Sequence, residues 1–248
     1  MRIRISLIAL SLLTLTGCGA EYVTPGRGAD MSVFGGKDPR RLQTDYDVQQ
    51  RLDLKPLASF PTAIAVARVQ APGYRSYSNH SWGTGRYSVV TTRDVESDQS
   101  VASLTKLPMV TGVAPLNRMV LPERLESDRD LRQAAASLHA DMLLIYTIDT
   151  TFDTEDLMEP MTIVTLGLSP NQQARVTTTA SAMLMDTRNG YVYALAEATE
   201  KDQQLANAWT SETAVDQTRR RTEAKAFDKL IADFTRAWPR VVEQYAVK

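Results

Sequence analysis

The chain has 248 residues, 43% hydrophobic and 23% charged, enough to bury one substantial core. Its net charge of -1 becomes about -3 once Arg2 and Arg4 are removed with an amino-terminal signal, which leaves no basic stripe for a nucleic-acid partner. A lone cysteine, Cys18, excludes an intrachain disulfide and a cysteine-based zinc site.

The chain begins with a short basic stretch, Met1 to Arg4, followed by an apolar run from Ile5 to Leu15. That run is too short to span a bilayer, which takes roughly 20 apolar residues, and it reads as a signal peptide. It ends in Leu15-Thr16-Gly17-Cys18, which resembles the bacterial lipobox. The resemblance implies cleavage between Gly17 and Cys18 and lipid modification of Cys18 on sulfur and nitrogen. Each buried acyl CH₂ contributes about 0.8 kcal/mol, so several chains on one residue hold a protein durably without a transmembrane helix. Gly19 stands where Gram-negative lipoproteins retained at the inner membrane usually carry Asp, and that analogy implies an outer-membrane anchor facing the periplasm. Three segments follow: a signal peptide over 1–17, a lipidated tether over 18–40, rich in Gly and Pro, and a periplasmic domain over 41–248.

Within that domain the pattern predicts a short helix over Thr44–Leu54 and a first core strand over Thr62–Val69. A polar-aromatic loop, Tyr74 to Gly85, precedes a strand over Tyr87–Thr92, a helix over Asp98–Leu107 and a strand inside Met109–Leu121. From Asp128, Leu131, Ala134, Ala135 and Leu138 form one apolar helical stripe, with Asp128 as the expected N-cap. Met142–Ile145 is continuous and apolar, as in a strand covered on both faces, and alternation begins at Tyr146. Asp153, Glu155, Asp156 and Glu159 read as a solvated acidic turn. An apolar run follows, with Met161, Ile163, Val164, Leu166 and Leu168 as a surface for docking a partner or for packing on the body. Val176–Met185 alternates as a half-buried strand, with Val176, Thr178, Ala180, Ala182 and Leu184 facing one way and Arg175, Thr177, Thr179 and Ser181 the other, and Asp186-Thr-Arg-Asn-Gly190 turns the chain into an antiparallel return strand over Tyr191–Thr199. The carboxyl end is a helix with Phe227, Leu230, Ile231, Phe234, Trp238, Val241, Val242 and Tyr245 on one stripe. It is expected to kink or restart at Pro239 and to point Arg219-Arg-Arg221 outward.

Motifs that would carry chemistry are sparse. His80 and His139 cannot form a three-histidine zinc site, and His139 falls at a helix end. The acidic stretch lacks the glycine and spacing of a calcium loop, and neither a nucleophile elbow, a phosphate loop nor a dinucleotide fingerprint occurs. The expectation is therefore a non-enzyme without metal or cofactor.

The run Leu138-His-Ala-Asp-Met-Leu-Leu-Ile-Tyr146, with the later hairpin over Asp186–Gly190 and a closing helix, is similar to the periplasmic domain of outer-membrane lipoproteins of the curli secretion channel type. The resemblance covers roughly Pro61 to Tyr245. His139 stands where that group usually has Gly, and only one candidate for its two long pore hairpins is present, near Met161–Met185. The expected fold is α/β (α+β): a single domain with a mixed, largely antiparallel sheet packed by helices and a long C-terminal helix. The expected role is structural, assembly or accessory, through contacts with other envelope proteins, and an oligomer is compatible with it. A secretion-pore subunit, or a ligand-binding or enzymatic domain using the 74–87 loop, are the alternatives.

Overall fold

The computed structural model describes residues 27–34, 45–76, 80–156, 172–206 and 211–246. The fold is a mixed α/β domain, with a seven-stranded, mostly antiparallel sheet packed by helices and closed by a long C-terminal helix. Its helices are α1 (Asp45–Leu52), α2 (Asp98–Thr105), α3 (Asp128–Ser137) and α4 (Ser211–Tyr245). Its strands are β1 (Thr62–Gln70), β2 (Ser81–Trp82), β3 (Thr84–Gly85), β4 (Ser88–Val90), β5 (Val110–Pro115), β6 (Arg124–Leu125), β7 (Met142–Asp156), β8 (Gln172–Asp186) and β9 (Val192–Ala206).

The order is β2-β4-β1-β7-β8-β9, with β3 and β6 forming a separate pair. β7 runs parallel to β1, from Ile64 opposite Met142 to Ala67 opposite Ile145. The other side of β1 is shared: β5 pairs in parallel from Thr62 to Val66, and β4 pairs antiparallel from Arg68 to Gln70. β7, β8 and β9 form an antiparallel meander in which Met142 pairs with Asp186 and Asp156 with Gln172, and Gln172 pairs in turn with Ala206.

Local chemistry explains the main elements. Met142, Leu143, Leu144 and Ile145 are each at most 1% exposed, so β7 enters the sheet covered on both faces. One face carries Met142, Leu144, Tyr146 and Ile148 against Phe227, Leu230, Ile231, Phe234 and Trp238 of α4. The other carries Leu143 and Ile145 with Leu131, Ala134 and Ala135 of α3. The alternation expected for β8 holds: Val176, Thr178, Ala180, Ala182 and Leu184 are all buried. Lys229 of α4 reaches β9, where its Nζ donates to the Thr199 carbonyl at 3.3 Å and pairs with Glu200 at 3.0 Å.

α3 ends in a Schellman motif: His139 N donates to Ala136 O at 2.9 Å and Ala140 N to Ala135 O at 3.1 Å. His139 takes the left-handed conformation this requires, with φ 55°. That is the backbone reason a glycine suits this position.

Five local expectations are corrected. The N-cap of α3 is Ser127, not Asp128; Asp130 turns back to accept from Glu126 N at 2.7 Å and Ser127 N at 2.9 Å. Residues 153–156 lie in β7 rather than in a turn, because the ladder with β8 continues to Asp156. α4 does not restart at Pro239 but continues as one helix to Tyr245, with Trp238 Nε1 anchored on Pro108 O at 2.8 Å. Arg219 points inward, while Arg220 and Arg221 are exposed. Within the stretch expected as tether, residues 27–34 dock on the body, where Ala29, Val33 and Phe34 are buried.

Candidate functional site

The largest concentration of buried charge lies where β1, β7 and the first turns of α4 meet. Arg68 projects from β1 toward α4, and its Nη1 donates to Asp94 Oδ1 and to Glu96 Oε1, each at 3.1 Å. Its Nη2 donates to the Tyr74 hydroxyl at 3.2 Å and lies 3.7 Å from Glu223 Oε2. Tyr146 of β7 donates to Glu96 Oε1 at 2.8 Å. From α4, Arg219 Nη1 donates to Glu223 Oε2 at 2.9 Å, and its Nη2 to Asp216 Oδ1 at 2.9 Å. Thr150 of β7 donates to Glu223 Oε1 at 3.0 Å.

Two guanidiniums thus face four carboxylates in a site nearly sealed from water, and the electrostatics follow. Burial opposes the charge on Arg68, but Glu96 and Glu223 more than offset it and hold the guanidinium firmly protonated. Burial raises the Glu223 carboxyl above its ordinary range, against the pull of Arg219, Arg68 and the Thr150 hydroxyl. Burial, then the neighbouring Glu96, pushes the Tyr146 phenol well above its usual value. Each residue of the set bonds another member, with the buried Arg68 Nε left without a hydrogen-bond partner among the described residues, and the network is suited to fixing α4 and the 94–96 loop on the sheet.

Sequence reasoning missed this cluster, although it left two signals. Arg68 is the one charged residue in a strand that is otherwise apolar from Ala63 to Val69. Glu223 and Arg219 continue the α4 stripe backward from Phe227 and Leu230 at helical spacing.

The 74–87 loop, expected as the ligand-binding alternative, borders a cavity of about 410 Å³ lined by Tyr74, Arg75, His80, Ser81 and three glycines. Gly83 and Gly85 have φ of 93° and 112°, and a Cβ on either would collide with Leu125, so this close crossing requires glycine. His80 is exposed, and its backbone bridges Arg75. His139 lies about 59 residues further on at the end of α3, with no part in this loop. Tyr74 links cavity and network, since its hydroxyl accepts from Arg68.

At the opposite end of β8, Asp186 fixes the hairpin. Its Oδ2 accepts from Leu57 N and from the Tyr193 hydroxyl, each at 2.7 Å, and its Oδ1 from Arg188 N at 2.8 Å. Gly17, Cys18 and the apolar positions Met161, Ile163, Val164, Leu166 and Leu168 lie outside the described residues. Among the described residues no group of three or more His, Cys, Asp or Glu is placed to hold a metal ion. Among them, too, no helix is long and apolar enough to cross a membrane, which leaves strands aside.

No family model matches the chain, and no curated protein matches it. Among solved structures, it is similar to a candidate lipoprotein of Caulobacter crescentus at 14% identity and a TM-score of 0.26, over 45% of this chain and 80% of that one. A candidate homologue of a neuraminyllactose-binding hemagglutinin from Helicobacter pylori gives 11% and 0.36, over 79% and 92%. A hypothetical protein of Chlamydia trachomatis gives 10% and 0.31, over 71% and 96%. Likenesses of this order assign neither family nor activity.

Proposed function

We propose that the chain is an envelope lipoprotein, held at the outer membrane through acylated Cys18, whose domain faces the periplasm and acts through contacts with other envelope proteins rather than by catalysis. The observation that carries this reading is Leu15-Thr16-Gly17-Cys18 in register behind a basic stretch and a short apolar run, with Cys18 the sole cysteine. The non-catalytic part is supported by the state of the buried ionisable groups, which bind one another. Met161, Ile163, Val164, Leu166 and Leu168 are the proposed partner surface, on sequence grounds.

Acyl labelling and fractionation test the anchor. Cys18→Ala should lose both the label and membrane retention while keeping the wild-type Tm, because Cys18 precedes the first docked residues. Retention of an unlabelled variant in washed outer membranes would sink the reading.

Two competing readings each have an observation in their favour. A secretion-pore subunit is favoured by the 15-residue length of β7 and β8, and conductance in planar bilayers tests it. A ligand-binding domain is favoured by the cavity beside Tyr74 and His80, and a thermal-shift screen of periplasmic extracts against the wild type and Gly83→Val tests that.

A further inference from the structure

β5 lies on a margin of the sheet. Among the described residues it pairs with β1 alone, in parallel, from Thr62 opposite Val110 to Val66 opposite Pro115. Leu116 N donates to Val66 O at 2.8 Å, so with the two-residue period of a strand Ala114 and Gly112 also turn to β1. Val113 turns its N–H and C=O to the other side, where Pro115 offers a carbonyl without a donor. Thr111 is the extra residue of a bulge, and its hydroxyl donates to the Thr62 carbonyl at 3.1 Å. Solvent reaches this margin: Thr111 and Pro115 are exposed, and Gly112, Val113 and Ala114 are half-buried.

The side chains around it leave room and apolar surface. Beyond its chain neighbours, no atom of the described residues lies within 4 Å of the point a Cβ on Gly112 would take, so a notch lies open over the strand. On the opposite face, Val101 of α2, Val110 and Val113 pack only partly against the core and form an apolar shoulder. Met109 and Met119, 40% and 84% exposed, stand beyond the two ends of β5. Unbranched methionines of this kind adapt to the shape of a partner.

A backbone margin is matched by an extended main chain, and charge selects which one. From Leu107 to Asn117 the chain carries no charge, and exposed Lys106 and Arg118 bracket the stretch. Two copies paired antiparallel about Gly112 would bring Lys106 of one toward Arg118 of the other, like charge against like at both ends. Acidic residues in those places are attracted instead.

We infer that the margin of β5 is a binding site for an extended segment of a partner protein, which adds as a further strand along Gly112–Pro115. The segment has alternating apolar, uncharged residues between acidic ones. This rests on the reading that the domain acts through protein contacts, and it is independent of the anchor at Cys18.

The probe is the synthetic peptide Glu-Glu-Val-Ser-Val-Thr-Val-Glu-Glu, titrated into the full-length protein in detergent and followed by residue-resolved amide exchange. The Val113 amide should exchange readily in the protein alone and slow by about tenfold or more with peptide, while Ala114, already turned to β1, changes little. Gly112→Arg projects into open space, so it should keep the wild-type Tm and weaken the peptide by about tenfold or more. Lysine in place of the four glutamates should weaken it by about fivefold or more at low salt. Protection of Val113 in the protein alone overturns the proposal, because a segment of this chain or a second copy then already fills the margin. Absence of peptide binding at millimolar concentration overturns it too, as does equal binding by Gly112→Arg. Crosslinking in intact envelopes separates this site from the wider reading. Partners captured equally by wild type and Gly112→Arg overturn the β5 site alone, and capture of none by either overturns the protein-contact reading.

Discussion

β7 contains two kinds of interior within one strand. From Met142 to Ile145 it is apolar on both faces, pressed between α3 and α4. A few residues on, from Tyr146 to Thr150, the α4 side of the same strand meets the buried charges of Glu96 and Glu223. The first region gains stability from burying area and tolerates no charge. The second holds charges that have left water, and it is favourable only while every partner remains in place. The apolar region therefore secures the fold as a whole, and the ionic region fixes the geometry of one seam.

The harshest way to break the comparison is a charge in the apolar half. Leu144→Asp should cost several kcal/mol and leave little folded protein at 37 °C, because Leu144 is 1% exposed beneath α4. A Tm within two degrees of wild type would place the core elsewhere.

The ionic half should answer differently to the loss of a cation and the loss of an anion. Arg68→Ala strands Glu96 and Asp94 without their guanidinium and should cost about 3–5 kcal/mol in urea titrations. Glu223→Gln keeps the shape and leaves Arg219 with Asp216 and Arg68 with Asp94 and Glu96, so it should cost less than Arg68→Ala in the same titrations. The sign of the pH effect follows from the raised Glu223 value. Its contribution is fully present below the unfolded carboxylate range, about pH 4.3, and is lost as pH rises through the higher folded value. Stability curves of wild type and Glu223→Gln should therefore diverge across that interval and run parallel above it. Parallel curves throughout would mean that Glu223 titrates as in the unfolded chain.

The smallest effect lies at the turn between α3 and β7. His139→Gly relieves a left-handed backbone and should stabilise by about 0.5–1 kcal/mol in the same titration. A loss of stability would show that the imidazole contributes more than its backbone costs.

The sequence reading succeeded where one physical rule acted alone. Alternation from Val176 to Leu184 located the inner face of β8, and Asp186 to Gly190 located the hairpin. It failed where two rules competed. Asp153 to Asp156 look like a turn by composition, yet pairing with β8 keeps them in a strand. Arg219 looked solvated beside Arg220 and Arg221, although Asp216 and Glu223 flank it at helical spacing and make its burial affordable. The network as a whole was beyond reach, because Arg68, Glu96 and Glu223 meet only through tertiary packing.

The bond from Lys229 to the Thr199 carbonyl bears on how copies of this protein behave together. Among the described residues β9 is the outermost strand of its side of the sheet, so its outward backbone groups are a template on which another strand could add. Under the proposed lipid anchor, copies would share a plane, where collisions between such edges are frequent and oriented. An ammonium seated on the edge, neutralised by Glu200, makes pairing there require the removal of a charge. On that account Lys229 acts as a guard against sideways aggregation, in the setting where crowding would be greatest.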